Sequence, residues 1–460
     1  MRQGRQGGVS ELRRHPWVVR RLSVIVASVV LVVAGMVIST GGAHLIGHAA
    51  WGLPNDLWAT LVAAERLWHG HLGRLYTEPT ALVAPPGTAV ILLPAAGLVM
   101  GLGLTPGPPV TQSPTPSAWW VAGPYEVALS CLALFAADAL AERMGVSLGK
   151  RAVLAAGEAV ALWNVSVRWG HPEDAVAVAL LLYALVAVAD DRPGRSGWLF
   201  GAAMAVQPLV VLALPVVLAA VGGRRATAYT LRALVPLAAL LGVALAANAR
   251  ATWHSVVDQP NYPLVDHPTP WIHLAPHLAN DAVAAGPGRI AAIVIAGMCG
   301  LYLSRRPTIP GPWTGAELGG LVWWVALTLA LRVGFESVMV AFYLWPPLAV
   351  AMVAAAPRWA RLVLTSVVTG VLTFASQATW RGEWAWWVPM TLGVALAVFL
   401  ARAPASPPAS LVPRTSPGSP MPAGADVQGS QDTWPWSSTY PTKATESMSP
   451  WAITSRSSRR

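Results

Sequence analysis

The chain has 460 residues, of which 55% are hydrophobic and only 11% charged, far from the roughly 25% charged residues of soluble domains. That balance argues against a large soluble all-α domain, because the apolar runs are apolar all round rather than striped. The net charge of +10 does not imply a nucleic-acid partner, since the basic residues are nearly all arginines scattered over short loops, a signature of membrane topology.

Apolar runs long enough to cross a bilayer recur along the chain, so the fold class is all-α, a polytopic membrane protein. Residues 1–17 read as a basic cytoplasmic N-terminus, because Arg2, Arg5, Arg13, Arg14, Arg20 and Arg21 precede or open the first span. The front resembles a signal peptide, but the span is long and lacks a small-residue cleavage site, so it is expected to stay as an anchor. Further basic clusters at Arg143/Lys150/Arg151, Arg192/Arg195, Arg224/Arg225/Arg232, Arg305/Arg306 and Arg358/Arg361 should share the cytoplasmic face. About ten spans satisfy this, with apolar cores near 18–38, 119–140, 152–167, 175–189, 233–249, 290–303, 318–331, 338–356, 362–376 and 387–400.

Two apolar stretches should then not cross. Residues 88–104 read as a half-helix within a first outer loop, 40–118. Residues 197–221 read as a re-entrant hairpin broken at Gln207-Pro208, because proline removes a donor and kinks a helix; this places Gln207 near the cytoplasmic side. The membrane domain spans 18–402, and a second large outer loop covers 250–289. Residues 403–460, rich in Pro, Ser and Thr, read as a disordered cytoplasmic tail.

The polar residues collect on the outer face. Asp56 heads an amphipathic interfacial helix, where it either caps that helix or meets a lipid-borne substrate as a base. His171, Glu173 and Asp174 follow Arg168; the helix dipole accounts for one acid but not for four ionisable groups within seven residues at a membrane face. Arg332 and Glu336, one turn apart, form either an intrahelical pair or a phosphate-binding pair, with the arginine fork as the contact. Loop 250–289 is rich in His and Asp. Its one HxxxH pair, His273 and His277, encloses Pro276, so the pattern does not favour a metal. His267, Trp271 and His273 instead suggest an ordered cap over a site. Asp138 and Glu158 lie inside spans and should face the bundle interior. Cys131 and Cys299 lie in spans without CxxC or Cys/His partners, so no zinc, disulfide framework or other cofactor is expected.

The motifs, taken in order, resemble the GT-C superfamily of membrane glycosyltransferases, most closely the actinobacterial α-mannosyltransferases that use polyprenyl-phosphate-mannose. Asp56, Ala63-Ala64, Gly70, Leu75-Tyr76, Pro85-Pro86 and Pro94 match the family's first outer loop. Gly170 through Asp174, Gly197 through Gly201, Gln207-Pro208 and Leu214-Pro215 follow its central segment. Arg332, Glu336 and Tyr343 through Pro346 are similar to its late arginine and tyrosine-proline segment, and Thr269-Pro270-Trp271 and Gly286 through Arg289 also match. Two positions depart from the pattern: Gln207 stands where many relatives carry lysine, and Phe342 precedes Tyr343 in place of a first tyrosine.

The resemblance implies transfer of a sugar, most simply mannose, from a polyprenyl-phosphate donor to a glycolipid or lipoglycan acceptor outside the cell membrane. Both termini would be cytoplasmic. Asp56 would be the catalytic base, and Arg332, His171, Glu173, Asp174 and Tyr343 would hold the donor. His267, Trp271 and His273 would cap the acceptor, among membrane lipids and without nucleic acid. A transporter or lipid flippase, suggested by the broken segments, and a non-catalytic scaffold working through the tail are the alternatives.

Overall fold

The computed structural model describes residues 16–37, 55–77, 82–104, 118–263, 266–279, 281–305, 313–378 and 382–402, without the side chains of Asn55 and Asp56. The basic N-terminus, parts of the first outer loop and the tail 403–460 lie outside the described residues.

The chain is helical. In order come α1 (Trp17–Val37), α2 (Asn55–Trp68), α3 (Pro86–Ile91), α4 (Leu93–Gly101), α5 (Trp119–Ser130), α6 (Leu132–Arg143) and α7 (Leu148–Trp163). Then follow α8 (Pro172–Ala189), α9 (Pro193–Val206), α10 (Leu214–Val221), α11 (Arg225–Trp253), α12 (Pro287–Ser304), α13 (Gly315–Phe335), α14 (Trp345–Ala355), α15 (Trp359–Ala375) and α16 (Glu383–Ala401). One antiparallel two-residue pair joins β1 (His267–Pro268) to β2 (Val338–Met339).

Among the described residues, seven stretches are long and apolar enough to cross a membrane: α1, α5 with α6, α8, α11 with the turn after it, α12, α13 and α16. The protein is therefore a helical, multi-pass membrane protein. Three of the ten expected cores fall outside these seven stretches. Segment 152–167 lies in α7 and the π-turn Asn164–Arg168 that continues it and carries a further charge, and 362–376 falls on α15, of 17 residues. Segment 338–356 opens as β2 and a 3-10 turn before α14 begins at Trp345. Pro346 and Pro347 explain the late start, since proline has no N–H to give and fits only a helix's first turn.

Helix α8 lies at the centre. It is apolar along its whole length, and 83% of it is buried, against 11% for the α11 stretch and 17% for α1. A helix apolar on every side belongs inside a bundle, whereas α1 and α11 present valines and leucines outward. Lipid offers no hydrophobic drive between helices, so close packing through small residues does that work. Gly197 and Gly201 supply it between α9 and α11: a Cβ on Gly201 would stand 2.6 Å from the Ala233 carbonyl oxygen.

The bundle has two chemically different ends. At one, Arg151 Nε and Nη2 each donate to Asp138 at 2.6 Å. Arg21 also pairs with Asp138 and with Glu142, and Arg20 reaches Glu142 at 3.0 Å. Asp138, whose partners were not apparent in the sequence, is thus the centre of an ionic knot tying α1 to α6 and α7. Arg143 pairs with Asp190, Arg225 pairs with Asp191, and Lys150 donates to the Pro357 carbonyl. Basic clusters expected on one face therefore converge on one end. Asp138→Ala should leave Arg151, 1% exposed, without its bidentate partner and cost about 3–5 kcal/mol. Thermal unfolding of the purified protein in detergent would register that loss.

Candidate functional site

The opposite end is built around the start of α8. Pro172 occupies its first turn, followed by Glu173 and Asp174, where the helix dipole favours anions. Each acid nevertheless has a specific partner. Glu173 Oε1 lies 2.6 Å from His171 Nδ1, and the His171 ring stacks on Phe342 with centroids 3.7 Å apart. Asp174 accepts a hydrogen bond from Gln207 Nε2 at 2.9 Å, and its Oδ2 is buried with no partner among the described residues.

That Gln207 contact corrects the sequence reading. Helix α9 ends at Val206, Gln207 is extended, and a 3-10 turn over Pro208–Ala213 leads into α10. The break falls where expected, but the hairpin is deeper than a shallow re-entrant loop. It leaves the end marked by Asp191 and Arg225 and returns there, while its tip reaches Asp174, at the far end of α8. With 18 residues rising about 1.5 Å each, α8 puts those ends roughly 27 Å apart. Gln207 is part of the polar cluster, not remote from it.

The first loop meets the same tip. Thr88 Oγ1 donates to the Val206 carbonyl at 2.9 Å, and a Cβ on Gly87 would stand 2.2 Å from the Ala205 carbonyl oxygen. The Pro85-Pro86-Gly87 motif is therefore a docking edge for α3, on which α2 packs. Asp56 stands in the first turn of α2, and its side chain lies outside the described residues.

Arg332, buried near the end of α13, donates from Nε to Glu336 at 3.3 Å, so the intrahelical pair exists. Its guanidinium also lies 3.6 Å above the centre of the Tyr343 ring, and its Nη1 has no partner among the described residues. Glu336 is shared: Arg289 donates to it from Nη2 at 2.7 Å and from Nε at 3.3 Å, and uses Nη1 on Gln259 at 2.7 Å. Burial by itself would raise the Glu336 carboxyl, but the charges of Arg289 and Arg332 outweigh it and hold the group below the usual glutamate range. Gln207, Gln259, Arg289, Arg332 and Glu336 line a pocket of about 110 Å³ together with Phe335 and apolar residues of the broken segment and α12.

The loop before α12 is fastened to this corner. Thr269 Oγ1 donates to the Glu336 carbonyl at 2.6 Å, and Trp271 Nε1 donates to the Gly334 carbonyl at 2.7 Å while its ring packs on Phe335. Trp271 thus stands beside the pocket residue Phe335. His267 and His273 do not line the pocket; they turn to α16, where His267 stacks on Trp386 at 4.5 Å and His273 Nε2 lies 2.8 Å from Glu383. Burial lowers the pKa of His267. No group of three or more His, Cys, Asp or Glu among the described residues is arranged to hold a metal.

Several members of the cluster were missed in the sequence. Glu126 of α5 is fully buried, accepts from Ser130 at 3.2 Å, and lies within electrostatic reach of Glu173 and His171. The rule applied to Asp138 and Glu158, that an acid inside an apolar span is functional by default, would have found it. Gln259 carried no such signal, and Arg289 showed only as the end of the Gly286–Arg289 motif, without a role until the loop folds back. No protein-family model matches the chain, and no curated protein matches it either.

Two outcomes follow for the cluster. Gln207→Leu removes the amide that satisfies Asp174, and a buried acceptor left unmade costs about 1–3 kcal/mol; thermal unfolding should fall accordingly, whereas Gln207→Asn should retain part of the stability. Because the Glu336 pKa is depressed in the folded state, its contribution is present above the ordinary glutamate range and is lost as pH falls through the lower folded value. Glu336→Gln should therefore unfold more easily at neutral pH and show a flatter loss of stability on acidification, measured as melting temperature against pH.

Proposed function

We propose that this chain is a membrane glycosyltransferase of the GT-C type. It would move a sugar, mannose in the simplest case, from a polyprenyl-phosphate donor to a lipid-linked glycan acceptor on the outer side of the cell membrane. The observation that carries the reading is that, at the end away from the arginine knot, Gln207 both bonds Asp174, beside the His171–Glu173 pair, and lines one pocket with Arg289, Arg332 and Glu336. Positive residues favour the cytoplasmic side of a membrane, so the end opposite the knot is assigned to the outside.

The chemistry is a single displacement. The acceptor hydroxyl oxygen attacks the anomeric carbon, the bond from that carbon to the phosphate oxygen breaks, and its electron pair leaves on the phosphate. Asp56 takes the hydroxyl proton. Arg332 holds the departing phosphate, since its planar fork matches phosphate oxygens and a fixed cation stabilises charge as it develops. Arg289 and Arg332 share one carboxylate, Glu336, which leaves one cation of the pair in excess. His171 and Glu173 order sugar hydroxyls, Tyr343 fixes the plane of Arg332, and the Trp271 loop covers the acceptor. Direct displacement inverts the anomeric centre, so a β-linked donor yields an α product.

A second reading, a transporter or lipid flippase without glycosyl transfer, draws on the hairpin broken at Gln207, because broken helices at membrane depth often surround transported ligands. Membranes carrying the wild type or Asp56→Ala, supplied with radiolabelled polyprenyl-phosphate-mannose, separate the two. The transferase predicts labelled glycolipid with the wild type and a loss of about 10²–10⁴-fold in Asp56→Ala, the range of general-base catalysis. Protein-dependent movement of the donor across liposomes with no glycosyl product would instead establish the transporter.

A further inference from the structure

A second, larger cavity shares no lining residue with the pocket of the polar cluster. Helices α1 and α7 diverge around a groove of about 900 Å³, lined almost wholly by apolar groups, Val26, Ala156 and Val160 among them. Its size is within the roughly 300–1,000 Å³ of ligand sites. On α1 the lining runs from Val19 to Ala34, roughly 22 Å of helix, which is more than half of a hydrocarbon core about 30 Å thick.

One end of the groove has charged residues as sequence neighbours. The lining residues Val19 and Gly149 adjoin Arg20 and Lys150 in sequence, so one end of the groove lies beside the helix turns that carry the ionic knot. In that knot the carboxylates paired with Arg20, Arg21 and Arg151 among the described residues are Asp138 and Glu142. Arg20 Nε and Arg151 Nη1 are buried with no partner among the described residues. An arginine excess at the head of an apolar channel is complementary to an anionic headgroup carrying an apolar chain.

We propose that this groove binds one anionic phospholipid, its phosphate against the Arg20–Arg151 cluster and an acyl chain laid between α1 and α7. A free phosphate would leave the apolar channel unfilled, and a zwitterionic lipid would bring its own cation to the arginines. The lipid would also complete the packing of α1, which buries only 17% of its span against the rest of the chain. The site is separate from the proposed transfer chemistry and does not depend on it.

Native mass spectrometry of the full chain, released from nanodiscs of phosphatidylglycerol and phosphatidylcholine, tests this. The wild type should retain one phosphatidylglycerol and no phosphatidylcholine. Ala156→Trp fills the groove from an exposed position and should abolish retention. Arg20→Gln should weaken it by about fivefold, the order expected for one lipid-facing cation. Melting curves in phosphatidylcholine nanodiscs establish that both variants are folded, and each variant tests a different element, shape or charge. Equal retention of both lipids, no retained lipid in the wild type, unchanged retention in Ala156→Trp, or displacement of the lipid by inorganic phosphate would each overturn the proposal.

Discussion

Asp174 lies in the first turn of a helix that has no solvent-facing side, and a carboxylate there must find its hydrogen bonds inside the bundle. The amide of Gln207 provides one, and providing it requires a helix to stop at that depth. Proline at the next position ends α9 by withholding a donor, which frees Gln207 to adopt an extended backbone and turn its side chain to α8. Much of the corner depends on this contact. The tip it anchors receives Thr88 and Gly87 of the first loop, and residues beside it line the pocket that Arg289 and Arg332 share. Irregular backbone at this depth is tolerable only where it is buried or borders a cavity, and here it does both.

The two ends of the bundle handle charge in different ways. At the arginine end, each arginine of the knot that joins α1, α6 and α7 has an ion-pair partner, although three cations share two carboxylates. At the Asp174 end, the groups are only partly matched: Asp174 Oδ2, Arg332 Nη1 and one Glu126 oxygen have no partner among the described residues. Buried polar groups are nearly always satisfied, and each exception costs free energy that packing elsewhere must offset. Such exceptions gather where a protein meets a ligand. The knot holds the scaffold, and the partly matched cluster is the better candidate for chemistry.

Most of the helical fold was legible in the sequence, because apolar length is a strong and local signal. The ten expected cores fall on α1, α5–α6, α7, α8 and α11 to α16, and the break at Gln207-Pro208 lies where proline chemistry puts it. The candidate site was legible in part. His171, Glu173, Asp174, Arg332 and Glu336 stand out because charge is rare in apolar surroundings, and Trp271 because proline and tryptophan mark an ordered loop. Gln207 was misplaced because charge bias reports the side on which a segment begins and ends, not how deep its middle reaches. Arg289 stood out only as the end of a Gly-Pro-Gly-Arg motif; its pairing was hidden because its partner, Glu336, is 47 residues away and no periodicity links the two.

The α9–α10 hairpin begins and ends at the same side, with Arg225 and Asp191 joined at its base. An element of that kind leaves the orientation of every later helix unchanged, whether or not its tip travels the full depth. Its insertion is then governed by pairing rather than by topology. A lone glutamine amide in hydrocarbon costs about 2–7 kcal/mol without a partner, so the tip is stable at depth only once Asp174 is there to receive it. The depth of the hairpin is thus set by α8, the helix that carries its hydrogen-bond partner.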